Sequence, residues 1–375
     1  MSELLKSRAE AADELGFRLL AYLSAAEKSE GGNVFLSSFS IAIALAMTYN
    51  GASGEAREAL GALLGLDGLS LEALNEANAA FLAMSDGLDP KVALALANAI
   101  WVATGFDLAP EFVERMESQY AGKAASLDFS VPSEAARVIN EWVAAQTHDK
   151  VQELLSPQDL SADAILVLVN AIYFKGAWTH SFDKGSTSER AFICADGRRK
   201  QIPMMARSGD WQYSETDMFQ GIVLPFGEGR VGMHVLLPKP EVPFEAFREH
   251  LTSERWREWP LAARPTHGRL VLPRFKACYN EDLVEALVAL GGEGFRGPGF
   301  RGMGVGDLRV GVVAHEAVLE VDEEGAEAAA ATAVVLSRGA PSPGFSMIVD
   351  RPFFCAIRDR ETGVSLFMGW ILDPE

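Results

Sequence analysis

Two long apolar runs constrain this chain more than anything else in it: VALALANAIWVA at 92–103 and AILVLVNAIYF at 164–174. Neither run alternates, so each has the continuous apolar character of a strand buried on both faces. Both therefore belong inside a large sheet with cover on either side. Around them, up to about residue 150, apolar residues recur at three- and four-residue spacing, which predicts amphipathic helices at 2–28, 38–50, 54–64, 70–85, 110–120 and 133–148. From residue 190 onward short strand-like runs dominate (GIVLPF, MHVLLP, RLVLPRF, AVLEV, MIVDRPFFCAI, SLFMGWIL), separated by Gly, Pro and Asp. Helices first and strands later predict an α+β protein with large sheets. No Ser-, Pro- or charge-rich linker divides the 375 residues, which leaves one large domain and two equally open.

Several function classes fall away on composition. With 52 acidic against 33 basic residues the net charge is −19, which repels phosphate backbones and anionic lipid, so neither nucleic acid nor a membrane surface is an expected partner. The first twenty residues mix charges into an apolar stripe, unlike a signal peptide, and no run of 18 apolar residues occurs. The expected location is cytoplasmic, with secretion left open. Three widely spaced cysteines, Cys194, Cys278 and Cys355, suit buried free thiols better than a disulfide framework.

The catalytic motifs are absent too. A serine hydrolase needs a nucleophile on a tight elbow, but G-x-S-x-G does not occur; GASG at 51–54 reads as the turn that opens a helix. The six histidines, His148, His180, His234, His250, His267 and His315, show no zinc-ligand spacing, and no metal or other cofactor is expected. A literal G-x-G-x-x-G at Gly297, Gly299 and Gly302 contains Pro298 and lacks the strand–turn–helix context of a phosphate loop, so a glycine-rich surface loop is the better reading.

The segment that does carry a signal is EEGAEAAAATAVV at 323–335. By propensity it is a helix, by complexity a linker. It nevertheless follows the strand-like AHEAVLEVD and leads into LSRGAPSPG, and its small side chains also permit a strand. EEGAEAAAAT resembles the hinge of the serpins, the serine protease inhibitors whose exposed loop inserts into their own sheet. The similarity runs over nearly the whole chain: NVFLSSFSIAIALAMTYNGASGEAREAL at 33–60, NAIYFKGAW at 170–178 with Phe182, then IPMM, VLPF, LLP and LVLPRFK in order, and FSMIVDRPFFCAIRDRETGVSLFMGWILDP at 345–374.

The resemblance implies the serpin fold: one domain over 1–375, three β-sheets, eight to nine helices and an exposed reactive-centre loop at about 323–344. It implies a monomeric suicide-substrate inhibitor, not an enzyme, with a metastable native state and a target serine protease as partner. On this view Glu323 to about Arg338 is a strand held outside the sheet. Its hinge comprises Glu323, Glu324, Gly325, Ala326, Glu327, Ala328, Ala329, Ala330, Ala331 and Thr332. Ser37, Ser40, Asn170 and His315 match a polar cluster where strands part to admit the loop, and Trp178 with Glu323 matches the top of the sheet. Ser38 stands where the family commonly has proline. The family's loop length places the reactive bond at Gly339–Ala340, but few proteases have a pocket for glycine. Arg338–Gly339 is therefore preferred and implies a trypsin-like target; Leu336–Ser337 would imply a chymotrypsin-like one. Residues 66–90 hold no Lys or Arg, so heparin is not expected to bind. The alternative is a serpin-fold protein that binds or carries a ligand without inhibiting; the small residues of the hinge favour inhibition, because large or charged ones would obstruct insertion.

Overall fold

The computed structural model describes residues 3–25, 32–85, 87–162, 164–304, 308–326 and 344–374. The six amphipathic stretches become α1 (Glu3–Ala25), α2 (Ser38–Tyr49), α3 (Gly54–Leu63), α4 (Leu71–Ser85), α5 (Pro110–Tyr120) and α6 (Pro132–Gln146). Three shorter helices, α7 (Phe244–His250), α8 (Ser253–Ala262) and α9 (Val284–Ala289), lie among the later strands. No described helix is long and apolar enough to cross a membrane.

The two long apolar runs are β2 (Val92–Ala103) and β4 (Leu166–Ala177), paired antiparallel in the middle of a six-stranded sheet. Its order is β10 (Phe275–Asp282), β11 (Val310–Val321), β4, β2 and β3 (Lys123–Leu127), with the two-residue β12 (Gly325–Ala326) on β4. β4 is buried through its first nine residues, as its sequence demands. In β2 the expectation holds only from Ala97 to Val102, because Val92, Leu94 and Leu96 sit at the rim of the main core and stay partly exposed. On the opposite face, Ala97, Ala99 and Trp101 pack with Ala135, Ile139 and Val143 of α6 in a second core. Burying such side chains contributes roughly 25 cal/mol per Å² of apolar surface.

A nine-stranded network holds the remaining strands. Its path is β1 (Val34–Leu36), β15 (Ser365–Ile371), β14 (Phe353–Asp359), β8 (Val231–Pro238), β7 (Phe219–Pro225), β6 (Arg199–Glu215), β9 (Arg264–Pro273) and β13 (Phe345–Ile348), with β5 (Ser188–Ile193) on β6. Hydrogen bonding thus links the described strands into two networks. The 17-residue β6 does the joining, since it pairs in turn with β5, β9 and β7.

Two smaller expectations are corrected. Cys194 and Cys355 are buried, but Cys278 is exposed, because burial alternates along β10 and it lies on the outward face beside the buried Ala277. The loop with Gly297, Gly299 and Gly302 is not wholly at the surface. Gly299 and Phe300 are buried. The Gly299 carbonyl accepts the Ser53 N–H at 2.6 Å, and a Cβ at Gly299 would stand 2.7 Å from that of Ala56. The loop therefore covers the start of α3.

Candidate functional site: the seam between β4 and β11

β4 carries β2 on one edge and β11 on the other, and a polar layer crosses all three strands at one level. Asn98 of β2, Asn170 of β4 and His315 of β11 are direct register partners, so strand alternation sends their side chains to one face. That face meets the N-terminus of α2, which Ser37 caps. Ser40 Oγ donates to Asn170 Oδ1 at 2.9 Å, and His315 Nδ1 donates to the same oxygen at 2.6 Å. Across the imidazole, Nε2 accepts the Ser37 N–H at 3.3 Å. Ser37 Oγ accepts the Ser40 N–H at 3.0 Å, and Asn170 Nδ2 donates to Asn98 Oδ1 at 2.5 Å. All five residues are buried.

One donor and one acceptor on the ring require the neutral imidazole. Burial enforces it, pushing the His315 pKa down to about 3. The four residues singled out in the sequence are thus brought into contact, and Asn98 joins them. Its signal was in the sequence, where the tripeptide NAI occurs at both 98–100 and 170–172. Ser38, the position where proline is usual, is the first residue of α2 and donates its hydroxyl to the Ser365 carbonyl at 3.3 Å.

Above this layer the seam changes. The register of β11 on β4 ends at Val318↔Tyr173, and farther along β4 the partners are Gly325↔Ala177 and Ala326↔Gly176. Gly176 also pairs with Val92 of β2, so β12 must occupy the edge of β4 that β11 uses lower down. The chain reverses between β11 and β12 on Asp322, whose Oδ1 accepts the N–H groups of Glu324 at 2.8 Å and Gly325 at 3.1 Å. Gly325 has φ +149, and a Cβ there would lie 2.1 Å from the Gly176 carbonyl oxygen, so only glycine fits. Ala326 is fully buried. The resemblance implied that the segment from Glu323 stands outside the sheet; Gly325 and Ala326 instead lie within it, because β11 stops pairing with β4 at Tyr173 and leaves them that edge.

Trp178 and Glu323 do meet at the top of the seam. Trp178 donates its backbone N–H to the Glu324 carbonyl and its indole Nε1 to the Asp322 carbonyl, both at 2.9 Å, and its ring stacks on Phe226 at 4.4 Å. The Phe182 N–H donates to the Glu323 carbonyl at 2.8 Å. The Glu323 carboxylate accepts Thr187 Oγ1 at 2.6 Å and Arg274 Nη2 at 2.7 Å. Burial opposes its ionisation, but those hydrogen bonds outweigh it and hold the carboxyl below its ordinary range. Sequence reasoning named neither Thr187 nor Arg274, which come from remote segments. Lys184 pairs with Glu324 at 2.5 Å. Glu327 to Thr332, and with them Leu336, Ser337, Arg338, Gly339 and Ala340, lie outside the described residues.

The family model for serpins (serine protease inhibitors) matches residues 10–374. The chain belongs to the serpin family. Bovine leukocyte elastase inhibitor is 32% identical, over 96% of this serpin and 97% of that protein. The solved structure of native protease nexin-1 with heparin superposes with a TM-score of 0.87 at 29% identity, covering 99% and 100% of the two chains. That of human thyroxine-binding globulin with its ligand gives 0.91 at 25% identity over 99% of each. The same fold thus serves both a named inhibitor and a named binding protein.

Proposed function

We propose that this serpin inhibits a serine-type endopeptidase by covalent trapping, inserting its cleaved loop between β4 and β11. The observation that carries this reading is β12: the hinge already occupies, over Gly325–Ala326, the edge of β4 that an inserted strand would extend. Continuing from Ala326 with period two, Ala328, Ala330, Thr332, Val334 and Leu336 would turn inward and Glu327 outward, which puts small or apolar side chains where burial is required. In the proposed sequence the protease's serine attacks a loop carbonyl, the peptide bond to the following residue breaks, and the acyl ester carries the protease along as the strand inserts. The sixteen residues from Glu323 to Arg338 span roughly 50 Å when extended, enough to carry the protease most of a domain's length.

Arg338–Gly339 is the preferred bond and a trypsin-like protease the preferred target, since an acidic pocket pairs strongly with arginine. The absence of Lys and Arg from 66–90 argues against help from heparin, although heparin accompanies protease nexin-1 in its structure. The chain should be mixed with trypsin and with chymotrypsin and run on denaturing gels. A boil-resistant band of summed mass with trypsin, and a released peptide beginning at Gly339, are the expected results. Clean cleavage without that band would leave the ligand-carrier alternative, of which thyroxine-binding globulin is the named example.

A further inference from the structure

On the face opposite α2, the seam between β4 and β11 is bridged by α6 and the segment that follows it, residues 147–156. Leu154 and Leu155 of that segment pack in the second core with Val169 and Tyr173 of β4 and with Ala314 and Val318 of β11, so the cover lies across both strands. Helix and segment form one unit. Asn140 Nδ2 donates to the Leu155 carbonyl at 2.7 Å and its Oδ1 accepts the Leu155 N–H at 3.0 Å, while Thr147 Oγ1 accepts the Val151 N–H at 3.2 Å.

This bridge stands on the sheet at both sides of the seam, and its two footings differ in kind. Toward β2 and β3, Lys123 Nζ lies over the rings of Trp101 at 4.6 Å and of Trp142 at 5.8 Å, and the two indoles meet edge-on at 6.1 Å. Lys150 adds a contact to β4, with its Nζ over the Tyr173 ring at 5.6 Å. Toward β10 the footing is a hydrogen bond. Asn280 Nδ2 donates to the Leu154 carbonyl at 2.9 Å and to Glu316 Oε2 at 3.3 Å, so the buried Glu316 carboxyl holds the amide toward the bridge. Admitting a strand between β4 and β11 moves the paired β10 and β11 away by one strand spacing, about 4.8 Å. Apolar side chains can slide over such a distance, because their attraction has no direction. The ring contacts all lie on the β4 side and travel with α6. The Asn280 bond spans the gap, and a hydrogen bond of 2.9 Å does not stretch that far.

We propose that Asn280, positioned by Glu316, is a clasp across the seam, and that its release of the Leu154 carbonyl sets how fast β4 and β11 part to admit the loop. The purpose of the clasp rests on the trapping reading, so two measurements on the full chain keep the two apart: hydrogen exchange without any protease, and the rate of covalent complex formation with trypsin. Asn280→Ala alters an exposed side chain. It should lower the protection of amides 313–318 about fivefold, leave the amides of β14 and β15 unchanged, and speed complex formation by a similar factor. Glu316→Gln, which keeps an acceptor for the same amide, should stay near the native chain in both measurements. Lys123→Gln loosens the opposite footing and should change neither. If the native chain forms no complex, the trapping reading fails and exchange still decides the clasp. Unchanged seam protection in Asn280→Ala, a loss of protection throughout the molecule, an equal response to Lys123→Gln, or an unchanged rate in a chain that does trap would overturn the assignment.

Discussion

The lower and upper parts of the β4–β11 seam use one edge of one strand in two different ways. Below Tyr173 the edge is closed by a parallel partner from 145 residues away, in register from Val312↔Val167 to Val318↔Tyr173, and pinned from beneath by the Asn98–Asn170–His315 layer. Above it, among the described residues, the edge is held by two, Gly325 and Ala326. The lower seam is locked by side-chain polarity, the upper one by the absence of side chains. Under the proposed insertion, a strand that continues β12 would start where little must be displaced and meet its main resistance at the polar layer.

The largest effect should come from breaking the continuation of β12. Under the proposed register Ala328→Arg or Thr332→Arg must bury an unpaired charge, at a cost of several kcal/mol, so each should be cleaved without forming a covalent complex. Ala329→Arg and Ala331→Arg, one residue away on the solvent face, should still trap. Counting inhibitor molecules consumed per protease inactivated separates the pairs, and equal counts would remove the strand-insertion reading.

Next in size is the lower lock. Asn170→Ala strands the partners of both its amide groups, Ser40 and His315 on one side and Asn98 on the other, and should destabilise the fold by roughly 2–4 kcal/mol. Asn98→Ala leaves only the Asn170 amide unsatisfied and should cost about 1–2 kcal/mol in urea unfolding. If the two substitutions cost the same, the layer does not act as a unit.

The upper lock should respond locally. Gly325→Val must relieve its contact with Gly176 and carries strain of about 1–3 kcal/mol, which should release β12 without unfolding the sheet. Hydrogen exchange at the Trp178 and Phe182 amides, which donate to the Glu324 and Glu323 carbonyls, should then speed up about tenfold or more, while amides along Val313–Val318 keep their protection. Uniform acceleration would mean that the two parts of the seam are one.

The remaining effect is a slope with pH. The His315 pKa is held at about 3 against an ordinary 6.5, so the unfolded chain takes up a proton that the folded one refuses. Stability from this group is complete above the unfolded value and declines as pH falls from 6.5 toward 3, by about 1.4 kcal/mol per unit. Asp13 works in the opposite sense, since burial raises its pKa to about 6 and the stability it adds is lost as pH rises through that value. Comparing the native chain with His315→Gln cancels the Asp13 contribution. The variant should be less stable at pH ~7 yet lose less on acidification; parallel curves would exclude His315 as the source.

How far the sequence could be read depended on the kind of signal. Helices α1 to α6 carried strong periodicity and the central strands long unbroken apolar runs, and both assignments held, with the rim of β2 the exception. α7, α8 and α9 escaped because they are short, sit among strands, and in α8 include Pro260 within the helix. β6 escaped for another reason: its burial alternates irregularly along 17 residues because it changes neighbours along its length. At the site, residues within recognisable motifs were found. Thr187 and Arg274 were not, since what unites them is three-dimensional and each looks like an ordinary polar residue in its own segment.

The position of β15 bears on how the molecule is made. It lies between β1 and β14, with Val34 opposite Trp370, so the last strand is an interior strand. A chain emerging from the ribosome N-terminus first has β1 early and must keep its edge unpaired until residue 371 is available. Neither β1 nor α1 and α2, which pack against β15, can finish burial before then. Synthesis is thus a waiting period with a strand edge exposed to other nascent chains, and the nine-stranded network cannot close before β15 has been made.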